Sequence, residues 1–300
     1  MIKSQSAMEY LMTYGWSILI VAVILGALAY LGVFNPLYFA PKANPGSCQA
    51  FRPNGAGTSY DINLLGVCNG EIPEYVSSFN GLGSGFVIAT EQAQPLSAMT
   101  VAFWIYPTNN GYWGNPNNPW QNVLSGSGGC WNNYYFYLEA GGNPPQESWS
   151  ITNTLGGEYR DFPSVPIFPD RWQQFIGTYD GKNLMVYLNG KSIGNPVAAS
   201  GLVNYDGLRI SSSNAPPGWG CDEISGDISN VQIYNVSLGQ NSIVALYQEG
   251  IGGAPIDLQN LVGWWPLNGN ANDYSGNGNN GAASGGMTYT NTWAGTYSQP

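Results

Sequence analysis

The feature that most constrains this chain is an uncharged, largely apolar segment of 21 residues near its beginning, at 14–34. At 1.5 Å per residue, a helix of this length is about 31 Å long and matches the hydrocarbon core of a bilayer. A helix in the core of a soluble domain usually keeps a polar stripe, which this segment lacks. The segment therefore predicts a hydrophobic transmembrane helix, and a membrane-inserted precursor.

A short polar stretch precedes this segment, in which Lys3, Ser4 and Gln5 are followed by Glu9. No cleavage site of the A-x-A type follows the apolar stretch, so a secretory signal peptide is not expected. The pattern resembles the class III signal peptide of archaeal type IV pilin-like proteins. That resemblance implies that a prepilin peptidase cuts between Ser4 and Gln5 and leaves the helix on the mature chain.

Glu9 would be the fifth residue of the mature chain. A lone carboxylate at the edge of an apolar helix is costly in lipid unless it meets a cation. The new α-amino group of Gln5 on an identical neighbouring subunit would supply one, and the pair would fix the register of helices in a filament. The other interpretation is that Glu9 is solvated at the level of the lipid headgroups.

The charge balance excludes several classes of function. The chain has 8 basic and 18 acidic residues, a formal net charge of −10 and no His. Nucleic-acid binding requires clustered Lys and Arg, so no nucleic-acid partner is expected. The lack of His also excludes Ser-His-Asp and Cys-His catalysis and His-ligated metal sites.

Four cysteines lie beyond the apolar segment, without a C-x-x-C pair. Outside the cell they would oxidise, and three pairings are possible. We expect Cys48–Cys68 and Cys130–Cys221.

Beyond residue 50 the sequence is typical of β-structure. Short runs rich in β-branched and aromatic residues, such as Met99–Tyr106, Leu184–Leu188 and Val231–Tyr234, are separated by turn residues. Asn189-Gly190 is a strong hairpin signal, and one helix is predicted over Gly239–Gly250. Such a pattern predicts a sandwich or jelly roll.

Three blocks in this region, within residues 76–105, 171–191 and 226–247, together resemble a laminin-G-like, concanavalin A-like jelly roll. That family often has His where this chain has Gln173, and an acid where it has Ser229. A segment similar to the family's first strand, 261–278, comes last here. We expect it to complete the sheet as a permuted strand, with Trp264, Trp265 and Leu267 partly buried. The alternative is that it is the stump of a second domain.

The predicted protein is mainly β, with an N-terminal hydrophobic α-helix followed by a laminin-G-like jelly-roll β-sandwich. The expected parts are a signal peptide (1–4), the pilin-like helix (5–35), a linker with a small disulfide-bonded β segment (36–74), and the jelly roll with its C-terminal strand (75–300).

Oxygen-bearing side chains suggest a cation site. Side chains on a glycine-rich loop and in a second acidic stretch carry oxygen atoms of the type that Ca²⁺ accepts as ligands. The other interpretation of the glycine-rich loop is a series of plain Asn-Gly turns. The candidate ligands are Asn270, Asn272, Asp273, Asp222 and Asp227. The closely spaced E-x-D-x-x-E motif of glycosidases on this fold is absent, so we expect no enzymatic activity.

Aromatic residues in two Asn- and Gly-rich loops suggest glycan binding, because aromatic faces stack on sugar rings while amides bond their hydroxyls. The candidates are Trp113, Trp120, Trp131, Tyr134 and Trp219. Packing on each other or on neighbouring subunits is the alternative. The one N-x-S/T sequon begins at Asn235 and predicts a glycoprotein.

These patterns together predict a structural subunit of an archaeal type IV pilus-like surface filament that displays an adhesive jelly-roll head. Its expected partners are identical subunits, a prepilin peptidase and extracellular glycans or cell surfaces. The alternative is a singly membrane-anchored surface protein that binds glycans and does not polymerise. A secreted glycan hydrolase is disfavoured.

Overall fold

The computed structural model divides into two compact units, Met1–Ala43 and Asn44–Pro300. It describes residues 14, 17–26, 49–53, 59–63, 73–81, 85–88, 94–108, 120–126, 136–141, 146–152, 159–205, 208–211, 222–284, 287–293 and 297.

In the first unit, residues 17–26 form helix α1, with exposed apolar side chains such as Ile18 and Val23. None of the helices within the described ranges is both long and apolar enough to cross a membrane. Ser4, Gln5 and Glu9 lie outside the described residues, so the predictions made for them remain predictions.

Within the described ranges, the second unit contains two eight-stranded sheets and two small strand pairs, with strands numbered in chain order. The front sheet contains β3 (Val76–Asn80), β6 (Met99–Pro107), β11 (Gln173–Tyr179), β12 (Asn183–Leu188), β13 (Lys191–Ala198), β17 (Ser225–Tyr234), β18 (Leu261–Trp265) and β20 (Thr288–Thr290). The back sheet contains β4 (Gly85–Ile88), β7 (Trp120–Gly126), β8 (Phe136–Gly141), β9 (Gln146–Thr152), β10 (Tyr159–Pro166), β15 (Leu208–Ile210), β16 (Asp222–Glu223) and β19 (Gly281–Ser284). The small pairs are β1 (Gln49–Pro53) with β2 (Ser59–Asn63), and β5 (Gln94–Leu96) with β14 (Val203–Tyr205).

The path through the front sheet is β13-β12-β11-β6-β17-β3-β20, with β18 also on β17. The path through the back sheet is β10-β9-β8-β7-β15-β4-β19, with β16 also on β7. A shared hydrophobic core joins Phe103 and Phe175 of the front sheet to Leu124 and Ile210 of the back sheet. The fold is therefore the predicted β-sandwich.

Strand β6 shows why the front sheet is buried on both faces. Its alternate residues Phe103 and Ile105 enter the core between the sheets, whereas Ala102 and Trp104 belong to clusters on the outer face. Helix α2 (Gln240–Gln248) contributes to this outer layer through its buried residues, which include Ile243. The near-continuous apolar sequence of β6 follows from this double burial.

The C-terminal segment is part of both sheets. Along one side of β17, β3 pairs with residues 225–228 and β18 with residues 231–234, so these two strands lie end to end. Strand β19 pairs with β4 and β20 with β3. Trp264, Trp265 and Leu267 are at most 1% exposed, which is deeper than the partial burial expected from the sequence.

A buried polar network fixes the segment after α2 to β17. The Trp264 indole N–H donates to Asn230 Oδ1 at 2.7 Å, and Asn230 Nδ2 donates to the Gly253 carbonyl at 2.8 Å. Asn230 has a φ of 53°, at the register shift between Ser229 and Gln232 in the β6–β17 pair. Asn tolerates this left-handed conformation better than most residues, which suits it to the bulge.

Candidate functional site

One row of side chains on the outer face of the front sheet remains partly accessible. Ser78 on β3 lies opposite Asp227 on β17, and Asp227 lies opposite Tyr106 on β6. These three residues are intermediate in exposure. Trp172, just before β11, is only 9% exposed, and its ring centroid lies 5.6 Å from that of Tyr106. We call these four residues the Asp227 row.

The loop before β11 positions Trp172. The Gln173 side chain donates from Nε2 to the Phe168 carbonyl at 3.2 Å and accepts from the Phe168 N–H at 3.3 Å. An amide can do both at once because it carries a donor and an acceptor. The Asp170 N–H donates to the Pro107 carbonyl at 2.8 Å, which ties the loop to the end of β6.

The Asp227 row is acidic at its centre. Burial raises the pKa of the Asp227 carboxyl, and a hydrogen bond with Ser78 acts in the opposite direction. Burial also raises the pKa of the Tyr106 phenol, and the negative charges of Asp170 and Asp227 add to this effect. The row therefore combines one carboxylate acceptor with aromatic rings, and suits a ligand that donates hydrogen bonds and has an apolar face.

Next to this row, the outer face is closed by aromatic packing. Trp104 stacks on Tyr247 of α2 with ring centroids 5.8 Å apart, and meets Tyr297 edge-on at 5.5 Å. Trp293 meets Trp172 edge-on at 5.5 Å. Trp104 and Trp293 are 2% and 3% exposed, so these two rings serve packing.

Asp273, one of the predicted calcium ligands, is occupied by hydrogen bonds within the protein. Its carboxylate accepts from the N–H groups of Trp264 at 3.0 Å, Ser275 at 2.7 Å and Asn279 at 2.9 Å. The Ser275 hydroxyl adds a fourth bond at 2.7 Å. Asp273 thus holds its own loop against strand β18.

The same loop bonds to the backbone of β18 through its amides. Asn277 and Asn279 both donate to the Val262 carbonyl, at 2.9 Å and 3.0 Å. Asn270 Oδ1 accepts from the Asn272 N–H at 2.9 Å. The bonds to Val262, together with the bond from the Trp264 N–H to Asp273, satisfy backbone groups of β18, which pairs only with β17 within the described ranges.

The other predicted calcium ligands belong to different strands. Asp222 begins β16 in the back sheet, whereas Asp227 lies in β17 of the front sheet. No group of three or more Asp, Glu, Cys or His that could hold a metal is found within the described ranges.

Most of the predicted glycan-binding aromatics and all four cysteines lie outside the described residues. These are Trp113, Trp131, Tyr134, Trp219, Cys48, Cys68, Cys130 and Cys221. Trp120 begins β7, and only its backbone is described. Asn235 directly follows β17 and is exposed.

Sequence reasoning missed Ser78, Tyr106 and Trp172 as site residues. Two of them do carry a signal in the sequence. Tyr106 is the last aromatic residue of the strand predicted at Met99–Tyr106, and Trp172 lies in the block 171–191 that resembles the laminin-G-like family. These residues belong to the candidate site because the outer layer of aromatic side chains does not fully cover them. The alternation of residues along a strand predicts which face a residue lies on, but not whether that face is covered.

Comparison with solved structures supports the sandwich architecture. A candidate carbohydrate-binding protein from Bacteroides ovatus matches at 18% identity and a TM-score of 0.50, over 78% of this chain and 66% of its own. A heptameric SAP-like pentraxin from Limulus polyphemus matches at 16% identity and a TM-score of 0.47, over 73% and 95%. At 18% identity the likeness to the Bacteroides protein shows the fold alone, and this chain spans just under two thirds of that protein.

A search of curated proteins finds no match. The Laminin_G_3 family model, described as the concanavalin A-like lectin/glucanases superfamily, matches residues 80–244, which is more than half of the chain. The chain therefore belongs to the concanavalin A-like lectin/glucanases superfamily.

Proposed function

We propose that this protein is a cell-surface glycan-binding protein whose ligand occupies the Asp227 row. The observation that carries the proposal is the partly exposed residue Asp227 beside the partly exposed Tyr106, whose ring packs on the largely buried Trp172. Sugar hydroxyls donate well to carboxylates, and the C–H face of a sugar ring packs on an aromatic ring.

Two further observations support this proposal. The chain shares its fold with a candidate carbohydrate-binding protein from Bacteroides ovatus. In the sequence, two of the predicted glycan-binding aromatics also lie in segments next to the strands that carry the row. The segment with Trp113 follows β6, and the segment with Trp219 precedes β16 and β17. Those aromatics would extend the binding surface beyond the row.

For the N-terminal segment, we propose the pilin-like role implied by its sequence. A prepilin peptidase would cut between Ser4 and Gln5, and Glu9 would pair with the amino terminus of an identical subunit. The filament would then display the head outside the cell. A single membrane anchor without polymerisation is the alternative, and electron microscopy of surface filaments with mass spectrometry of their subunits separates the two.

The proposed glycan site is tested by binding of residues 44–300 to a glycan array, followed by calorimetry with the best ligand. We expect Asp227→Asn to weaken binding by about tenfold or more, since a hydrogen bond to a charged acceptor contributes roughly 1.5–3 kcal/mol. Glu74→Gln is the matched control, because Glu74 is an exposed carboxylate before β3.

Equal affinities of wild type and Asp227→Asn would exclude the row as the site. Thermal melts of both variants check that any loss does not come from unfolding. We also propose that binding is not followed by hydrolysis, and release of reducing sugar from the bound glycan would overturn this.

A further inference from the structure

We propose that Asn235 carries an N-linked glycan, a modification that rests on the proposed surface location of the head. Asn235-Val236-Ser237 is the one N-x-S/T sequon of the chain. Such a sequon is common by chance, and only one that the fold leaves accessible can carry a sugar.

The fold holds the backbone of the sequon and leaves the acceptor side chain exposed. The Asn235 N–H donates to the Asn260 carbonyl at 2.9 Å, and the Thr100 hydroxyl donates to the Val236 carbonyl at 2.7 Å. The same hydroxyl accepts from the Leu238 N–H at 2.9 Å. The Asn235 side chain itself is exposed, so the folded head can accommodate an attached sugar.

Two other side-chain amides on β17 are buried, unlike that of Asn235. Asn230 and Gln232 are 5% and 3% exposed and are hydrogen-bonded within the network around Gly253. Strand β17 ends at Tyr234, so the chain turns at the residue where the amide leaves the buried layer. Only an amide in such a position tolerates a bulky polar substituent.

The chemistry requires a lipid-linked oligosaccharide as the sugar donor. The Asn235 amide nitrogen would form a bond to the anomeric carbon as the bond from that carbon to the lipid phosphate oxygen breaks. The amide loses one proton, and the lipid phosphate is the leaving group. No oxidant or reductant is involved.

The position of this glycan is compatible with ligand binding. Asn235 and Asp227 lie near opposite ends of β17, and eight residues of strand correspond to about 26 Å. A glycan at Asn235 would therefore cover the α2 end of the front sheet and leave the Asp227 row open.

The test is the intact mass of the full-length protein purified from its native host. We expect a mass above that of the processed chain, located on the peptide with Asn235. Asn235→Gln and Ser237→Ala should both lose this increment, and Ser237→Thr should retain it. Asn241→Gln is the matched control, because Asn241 is exposed on α2 and lies outside a sequon.

Proteolysis on intact cells separates this inference from the proposed surface location. A protease-accessible head with the bare-chain mass would overturn the glycan alone. A protected head with the bare-chain mass would overturn both. An increment that survives Asn235→Gln would place the modification elsewhere and also refute the proposal.

Discussion

Two oxygen-rich regions of the jelly-roll head, residues 44–300, use similar side chains in different ways. In the loop after β18, Asp273 accepts four hydrogen bonds from its own loop and from β18. In the Asp227 row, the carboxylate of Asp227 bonds to Ser78 and remains partly accessible beside Tyr106. The first region closes a sheet edge, whereas the second leaves Ser78, Tyr106 and Asp227 partly exposed.

The difference shows that a concentration of oxygen atoms does not by itself indicate a site. What matters is whether the fold has already supplied donors to those atoms. The richer cluster in the sequence, around Asn270 and Asp273, is the one that the protein uses internally.

Deletion of residues 261–300 should unfold the head. It removes β18, β19 and β20 from the two sheets, together with the buried rings of Trp264 and Trp265. Loss of one large aromatic from a core is worth roughly 3–5 kcal/mol, against about 5–15 kcal/mol for a whole domain. Thermal melts of residues 44–300 and 44–260 measure this, and similar melting temperatures would show that the tail is dispensable.

Asp273→Ala should destabilise the head by about 2–3 kcal/mol, since it leaves donors of Trp264 and Asn279 without their acceptor. Asp227→Asn should leave stability unchanged or raise it slightly, because ionising a partly buried carboxylate opposes folding. Urea unfolding measures both variants. The reverse order of effects would mean that Asp227 is the structural carboxylate.

Glycan binding at the Asp227 row should weaken on acidification. Because burial raises the pKa of Asp227, the carboxylate protonates at a higher pH than an ordinary aspartate. Affinity should therefore fall as the pH drops through that raised pKa, while Asp227→Asn should lack this dependence. Stability has the opposite trend, since the contribution of Asp227 is fully present below its unfolded pKa and is lost as the pH rises through the folded one. Calorimetry across the acid range checks the binding.

Calcium should have the smallest effect. The carboxylate of Asp273 and the Oδ1 of Asn270 already accept hydrogen bonds from the protein. We expect millimolar Ca²⁺ or a chelator to change the melting temperature by less than about 1 °C, since a ligand stabilises only the state that binds it. A larger rise with Ca²⁺ that Asp273→Ala abolishes would restore the loop as a cation site.

The sequence predicted much of the fold from local patterns. The Asn189-Gly190 hairpin is confirmed, with φ values of 50° and 75°, and the strand predicted at Leu184–Leu188 is β12, which begins one residue earlier. The predicted helix at 239–250 is α2, one or two residues shorter at each end. These features depend on periodicity and turn chemistry, which act over a few residues.

The candidate site could not be predicted in the same way. Asp227 was singled out as a metal ligand, but its aromatic neighbours Tyr106 and Trp172 come from distant parts of the chain. The accessibility of the row depends on coverage by α2 and by the segment with Trp293. The role of Asp273 depends on its register against β18. Both are long-range properties that no local pattern encodes.

The end-to-end arrangement of β3 and β18 along β17 has a consequence for the order of events during synthesis. The Tyr75 N–H donates to Asn268 Oδ1 at 2.8 Å, across 193 residues of chain. Strand β3 is made early, whereas β18 and β20 are made after the other described strands of the front sheet. Neither sheet can be completed before residues 261–290 are made, and pairings this distant form slowly. The two sheets would therefore stay incomplete over most of the synthesis of this region, which would keep the chain able to thread through a narrow translocation channel.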